Sequence, residues 1–337
     1  MEDYVLQVKN LKTYFYMDNG TLKAVDDVSF NLRRNETIGI IGESGCGKSV
    51  TASSILRIIQ NPGKTLAGEI LYNDGEKEVN LVNYGPDSRQ MRAIRGQDIS
   101  MIFQEPMASL APVYTIGAQM MEAVMVHQKK KDKKAAKKLC MEMLEEVGMP
   151  DPEQKFNSYP HQLSGGQCQR AMIALAMVNR PKILIADEPT TALDVTVQAQ
   201  ITALMKKFQK EYHMSIIYIT HDMGVIAEMA DTIAVMYLGR VVEWGSALQI
   251  FKNPIHPYTR GLLNSMPVLG QKSDKPLNAI EGNVPVPLDP PDECGFCSRC
   301  PERTEECDKS VPQIVEVEEG HFVRCFHCQG KRNGGEA

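Results

Sequence analysis

No apolar run in this 337-residue chain approaches the ~20 residues that a membrane-spanning helix needs. Apolar stretches such as Ala171 to Val178 and Ile183 to Ala186 fall far short. Met1-Glu2-Asp3 is acidic and no apolar stretch follows it, so a secretory leader is not expected. Basic charge is in deficit: 37 Lys and Arg against 42 Asp and Glu give a formal net charge of −5, which argues against a protein whose main business is wrapping nucleic acid. No internal repeat is visible. The bulk composition, 43% hydrophobic and 23% charged, excludes collagen, a coiled-coil rod and a wholly disordered chain. At ~100–200 residues per domain, the length fits one large domain with an appendage or two modest domains, with enough chain for a core that needs no disulfide support. The expectation is a soluble, cytosolic, mixed α/β protein.

What the chain does have is unevenly placed cysteine. Cys46, Cys140 and Cys168 are scattered, whereas Cys294, Cys297, Cys300, Cys307, Cys325 and Cys328 crowd near the end. Without a secretion signal, clustered thiols point to metal or cluster ligands rather than to disulfides. Up to about residue 250, β-branched runs alternate with helical patterns, as in a largely parallel sheet covered by helices. Strands are expected at residues 37–41, 98–103, 182–186, 215–220 and 232–237. Residues 4–16 and 22–32 alternate around Asp18-Asn19-Gly20 and read as an antiparallel β layer. Residues 118–148 read as one helix whose polar face carries Lys129, Lys130, Lys131, Lys133, Lys134, Lys137 and Lys138. Such a run is most simply a solvated helix face, with anionic lipid as the other reading. Beyond Trp244, prolines at 254, 257, 267, 276, 285, 287, 290 and 291 predict mostly loop up to the cysteine cluster.

The sharpest motif is Gly42-Glu43-Ser44-Gly45-Cys46-Gly47-Lys48-Ser49, between an expected strand and an expected helix. That context identifies a P-loop. Glycines let the backbone form a concave row of N–H donors, and the helix start adds positive dipole density. Lys48 would place its charge between β- and γ-phosphates, and the Ser49 hydroxyl would reach Mg²⁺. A second element, Lys182 to Glu188, is an apolar strand ending in two carboxylates. Strand carboxyl ends in such sheets face the ligand, so Asp187 suits a Mg²⁺-holding role and Glu188 the polarising of an attacking water. Two more strand ends bring Gln104 and His221-Asp222 to the same edge. A guanine-reading Asn-Lys-x-Asp is absent from the sequence, which disfavours a GTPase.

Leu163-Ser164-Gly165-Gly166-Gln167, just before a helical pattern, is a second Ser/Gly-rich helix start and hence a second potential anion cradle. Here the chain resembles the ATP-binding-cassette (ABC) ATPases, whose signature motif reads Leu-Ser-Gly-Gly-Gln. Ala192-Leu193-Asp194 resembles their D-loop, Gln104 their Q-loop and His221 their switch histidine. The resemblance covers about residues 4–250. It implies an α/β fold in which a RecA-like parallel core carries an antiparallel β layer and an inserted helical subdomain at about 105–170. It further implies ATP and Mg²⁺, the ion held by Ser49, Gln104 and Asp187. ATP on the 42–49 loop of one subunit would be completed by Ser164, Gly165, Gly166 and Gln167 of a partner. Hydrolysis would use Glu188, with His221 at the γ-phosphate. An aromatic of the first β layer would stack on adenine; Phe15 is favoured by position, with Tyr14 and Tyr16 as rivals. Asn35 stands at a turn where relatives often carry Gly, and Ala111 where they often carry Asn.

Asn253-Pro254-Ile255-His256-Pro257-Tyr258-Thr259-Arg260 resembles the start of the C-terminal extension of oligopeptide and dipeptide transporter ATPases, as do the later Gly282 to Pro285 and Cys294 to Pro301. The expected division is therefore a nucleotide-binding domain at 1–252 and a Pro/Cys-rich extension at 253–337. Within that resemblance Cys294, Cys300, Cys307 and Cys325 fall at the recurring cysteine positions, the complement of a [4Fe–4S] cluster or of tetrahedral Zn²⁺. Cys297 and Cys328 create a rival set of two Cys-x-x-Cys pairs, and His321 and His327 are substitutes. The resemblance implies a subunit of a peptide-type importer peripheral to the cytoplasmic face of the membrane. Its partners would be two permease subunits, a second, paralogous ABC ATPase and, through the permeases, an extracytoplasmic solute-binding protein. An ABC-type ATPase acting on DNA or ribosomes is the alternative, although the long coiled coil, tandem cassettes or basic stripe of such proteins are missing.

Overall fold

Two sheets organise the computed structural model, which describes residues 3–128, 132–191, 194–265 and 280–329. The strands are β1 (Tyr4–Met17), β2 (Gly20–Arg33), β3 (Thr37–Ile41), β4 (Gly63–Asn73), β5 (Glu78–Asn80), β6 (Ile99–Ile102), β7 (Ile183–Asp187), β8 (Ser215–Ile219), β9 (Thr232–Tyr237), β10 (Arg240–Ser246), β11 (Val315–Glu318) and β12 (His321–Val323).

The smaller sheet has the order β2-β1-β4-β5 and is antiparallel throughout. Val28, Phe30 and Leu32 alternate inward along β2, the period-2 pattern of a sheet with one covered face. The β1–β2 hairpin closes at Met17↔Gly20, around Asp18 and Asn19.

The larger sheet has the order β11-β12-β10-β9-β3-β8-β7-β6. From β6 to β9 its strands run parallel. Every residue of β3, β7 and β8 is buried, so their sequences are continuous apolar runs covered on both faces. Fully burying each Ile or Leu there is worth about 1.5–3 kcal/mol. Pairing Ile102↔Ala186 and Asp187↔Ile219 lines up the carboxyl ends of β6, β7 and β8.

Between β6 and β7 lies a helical layer comprising Ile116–His127, Lys133–Glu146, Pro152–Phe156 and the start of Gly165–Met177. Met120, Val124, Ala136, Cys140, Met143 and Leu144 form its core. The single helix expected at 118–148 is two. Asp132 accepts hydrogen bonds from the N–H groups of Lys134 and Ala135 and starts the second, as an N-cap does. Lys133, Lys134, Lys137 and Lys138 are exposed; Lys129, Lys130 and Lys131 lie outside the described residues.

The region expected to be mostly loop up to the cysteine cluster contains helical segments, and beyond it the tail joins the main sheet. Residues 257–264 form a helix, and β12 pairs antiparallel with β10 through Glu243↔Val323 and Trp244↔Phe322. The main sheet thus continues past residue 252 into the extension. A strand edge at β10 must be covered, and the last part of the chain covers it.

Candidate nucleotide site

The 42–49 loop leaves β3 and enters the helix Lys48–Ile55. Gly42, Gly45 and Gly47 take φ of +152°, +80° and +101°. At Gly47 a Cβ would stand 2.2 Å from the Ala24 carbonyl oxygen, so the loop passes too close to β2 for any side chain. Lys48 is buried, and its Nζ donates to the Gly42 carbonyl at 2.7 Å and to the Glu43 carbonyl at 3.1 Å. Ser49 Oγ donates to Asp187 Oδ1 at 3.0 Å and so ties the loop to the end of β7. Burial raises the Asp187 pKa, and the neighbouring Glu188 adds to this, while the Ser49 hydrogen bond and Lys48 oppose it. Two oxygen donors, one a desolvated carboxylate, suit a hard divalent ion. Burial also pushes the Cys46 thiol up, which keeps it neutral beside Lys48.

Glu188 gathers the remaining polar groups. Gln104 Nε2 donates to its Oε2 at 3.1 Å, Thr191 Oγ1 donates to the same oxygen at 2.9 Å, and His221 Nδ1 lies 3.4 Å from Oε1. Its backbone stands at φ +46°, a left-handed conformation uncommon for this residue type. No sequence motif points to Thr191; it lies in the turn after Glu188, and only the folded turn brings its hydroxyl to the carboxylate.

A cavity of about 550 Å³ opens over the loop, lined by Ser44, Gly45, Gly47, Lys48 and Ser49 at one end. Gln104 and Glu188 close one side, and Phe15, Met17 and Leu22 form an apolar end. Gly42, Glu43 and Cys46 stand behind this surface. Of the three aromatic candidates, Phe15 lines the cavity, Tyr14 donates to Asp26 at 2.7 Å, and Tyr16 sits beneath the Lys64 ammonium. Pro287 of the extension also lines it, a residue that nothing in the local sequence marks for the site.

Ser164 caps the helix Gly165–Met177 in a reciprocal box with Gln167. Gly165 is exposed, with open space where a Cβ would be. Ser164, Gly165, Gly166 and Gln167 are absent from the lining of the cavity in their own chain. Asp194 caps the helix Val195–Tyr212; Ala192 and Leu193 lie outside the described residues. Asn35 occupies the left-handed region at φ +58°, the conformation Asn tolerates better than most residues.

No disulfide joins the six tail cysteines. Cys294 interacts electrostatically with Cys307 and Cys325, as does Cys300. Cys294 N–H also donates to the Cys307 carbonyl at 2.8 Å. Cys297 also acts on Cys294 and engages the Glu293 carboxylate, and Cys325 pairs by hydrogen bond with Cys328. Among the described residues the donor atoms drawn together at single-ion spacing are those of Glu293, Cys297 and Asp308. The four recurring cysteines are not gathered at the spacing of one tetrahedral Zn²⁺.

Comparison with known proteins places this geometry. Residues 25–191 match the ABC transporter family, and residues 242–307 match the oligopeptide/dipeptide transporter C-terminal region. The oligopeptide transport ATP-binding protein AppD of Bacillus subtilis is 46% identical over 323 residues, covering 96% of this chain and 96% of its own. The chain belongs to the ATP-binding subunits of the oligopeptide/dipeptide ABC transporter family. Another such subunit, the dipeptide transport ATP-binding protein DppD of the same organism, is 48% identical over 323 residues, covering 96% of this chain and 94% of its own. Among solved structures, the ATP-binding cassette MJ0796, in a dimer bound to ADP and Pi, superposes with a TM-score of 0.63 at 28% identity. It covers 72% of this ABC subunit and 98% of its own chain. The expected ABC ATPase fold is therefore present, and no helix of the described residues is long and apolar enough to cross a membrane.

Proposed function

We propose that this ABC subunit hydrolyses ATP in the cavity over residues 42–49 and that its turnover drives peptide uptake through a membrane permease. One observation carries the reading: the carboxylate of Glu188, held by Gln104, Thr191 and His221, stands on the edge of the cavity whose floor is Lys48 and Ser49. A general base must lie within reach of the water it activates, and this is the carboxylate beside the phosphate cradle.

In this reading the N–H groups of Ser44, Gly45 and Gly47 cradle the phosphates and Lys48 neutralises their charge. Ser49, Gln104 and Asp187 hold Mg²⁺, which supplies further charge neutralisation when bound. Phe15 stacks on adenine. Glu188 takes a proton from the attacking water while His221 contacts the γ-phosphate. Ser164, Gly165, Gly166, Gln167 and Asp194 serve a second cassette across a head-to-tail dimer. Their absence from this chain's own cavity and the open surface at Gly165 support that arrangement.

Two permease subunits at the cytoplasmic face of the membrane, a second, paralogous ATPase and an extracytoplasmic solute-binding protein complete the assembly. An open groove of about 510 Å³ supports permease docking: Phe103, Leu110, Ala111 and Tyr114 line it, and Met107 and Val113 are exposed on the same connection. Purifying Glu188→Gln protein with ATP and Mg²⁺ from gently solubilised native membranes should recover both permeases and the paralogous ATPase. Ribosomes or DNA-repair proteins without a permease would overturn the transport reading.

For the tail we propose a [4Fe–4S] cluster on Cys294, Cys300, Cys307 and Cys325. The approach of Cys307 and Cys325 to both Cys294 and Cys300 supports this set. Four thiolates suit such a cluster. Anaerobically purified protein should carry iron and acid-labile sulfide; stoichiometric zinc without iron would exclude the cluster.

A further inference from the structure

The phosphate loop is gripped from behind by the C-terminal extension, at Glu43. The hydroxyl of Tyr258 accepts the Glu43 backbone N–H at 2.9 Å. Arg299 donates to both carboxylate oxygens of the same residue, Nη1 to Oε2 at 2.7 Å and Nη2 to Oε1 at 3.0 Å. Both grips are rigid. Tyr258 is fully buried and packs against Tyr237 and Phe296, with ring centroids 4.7 and 5.4 Å away. The Arg299 side chain is 5% exposed, and its remaining donors reach the Glu281 and Ile280 carbonyls and the Tyr237 hydroxyl. A planar fork satisfied on every side is a geometric constraint more than a mobile surface charge.

The loop needs such support because three of its residues are glycines at positive φ, where the backbone has the most freedom to lose. Glu43 is held at three points: its N–H by Tyr258, its carboxylate by Arg299 and its carbonyl by Lys48. When Lys48 turns to a phosphate, the carbonyl keeps only the Cys46 N–H, at 3.3 Å, and the two holds from the extension remain. The extension also reaches the cavity directly. Lys23 N–H donates to the Pro287 carbonyl at 3.0 Å and Asp289 N–H to the Thr21 carbonyl at 2.9 Å, which fixes Pro287 in the wall.

We infer that Arg299 and Tyr258 are positioning residues for ATP: acting through Glu43, they hold the phosphate loop in its binding conformation, so the C-terminal extension is part of the nucleotide site. This rests on the reading of the cavity as the ATP site.

Calorimetric titration of the full chain with MgADP, alongside steady-state ATPase assays in the assembled transporter, tests it. Arg299→Met should weaken MgADP binding about tenfold, in the range found when the support of a binding group is removed. The KM for ATP should rise correspondingly, with kcat within about twofold of wild type, a split expected when binding alone is lost. Combining Glu43→Gln with Arg299→Met should weaken binding no further than the worse single change, because both delete one interaction. Folded Arg299→Met with wild-type affinity would overturn the inference. If Arg299→Met does not fold, Tyr258→Phe decides: weakened binding supports the role and wild-type affinity removes it. Lys48→Ala separates the positioning role from the site it serves, since wild-type MgADP binding in that variant would show that nucleotide does not bind in this cavity.

Discussion

Gln104 and Glu188, 84 positions apart, meet across 3.1 Å, with the amide of one donating to the carboxylate of the other. One opens the connection after β6 and the other follows β7, and these two strands are neighbours in the sheet. The carboxylate is thus already aimed along the cavity edge before any nucleotide arrives. Glu188→Gln keeps the shape and removes the carboxylate proposed as the base. ATP turnover should fall by about 10²–10⁴-fold, the usual contribution of a general base, while MgATP binding persists. A filter-binding assay paired with phosphate release checks this, and size-exclusion chromatography should find the variant trapped as a closed dimer with ATP. Wild-type phosphate release would remove Glu188 from its role.

The glycines of the phosphate loop differ in what they tolerate. Gly45 stands at φ +80° with nothing within 4 Å of a Cβ, whereas at Gly47 the Cβ would meet the Ala24 carbonyl oxygen at 2.2 Å. Gly45→Ala should therefore cost only backbone strain, on the order of 1–3 kcal/mol. Gly47→Ala adds a backbone collision and should destabilise by more. Chemical denaturation of the two variants side by side measures the difference, and equal losses would contradict the geometry.

His321 predicts an alkaline weakness in the docking of the extension. The residue is buried, with Nε2 2.8 Å from Glu243 Oε1 and Nδ1 2.9 Å from Glu318 Oε1. Burial pulls its pKa down, but the hydrogen bonds to Glu243 and Glu318 outweigh burial and leave it above its usual value. A pKa raised in the folded state stabilises fully below the unfolded value of about 6.5, and that stability is lost as pH rises through the folded value. Amide exchange in β11 and β12 should accelerate as pH rises above about 6.5, beyond the intrinsic base-catalysed increase. In His321→Gln this extra pH dependence should vanish; a variant that keeps it would assign the effect elsewhere.

Trp244 is the single tryptophan of the chain and stacks on Phe322, with ring centroids 5.0 Å apart and planes 16° from parallel. These two residues are also a β10–β12 register pair. Phe322→Leu should change the intrinsic fluorescence and cost about 0.5–1.5 kcal/mol from the lost ring pair. Fluorescence-detected urea unfolding reads both, and an unchanged emission spectrum would mean that the rings do not meet in solution.

Much of the site was legible because its parts are local. A phosphate loop needs glycines, a lysine and a hydroxyl within a few residues, and the strand before it and the helix after it announce themselves by their own patterns. The acidic pair at 187–188 was equally visible, since an apolar run buried in a parallel sheet delivers the carboxylates at its end to the ligand edge. Local pattern failed at 118–148, where Asp132, in the middle of a charged run, starts a new helix.

The sequence by itself determined the nucleotide chemistry and the parallel core, because backbone conformation, helix dipole and strand burial are written in contiguous residues. Only the tertiary structure decided that the tail completes the main sheet and reaches the phosphate loop. Arg299 and Glu43 are 256 positions apart, and no periodicity records which half-buried carboxylate a distant arginine will find. That pairing is selected when β12 closes on β10 and the extension packs against the back of the loop, where a desolvated guanidinium must have a partner.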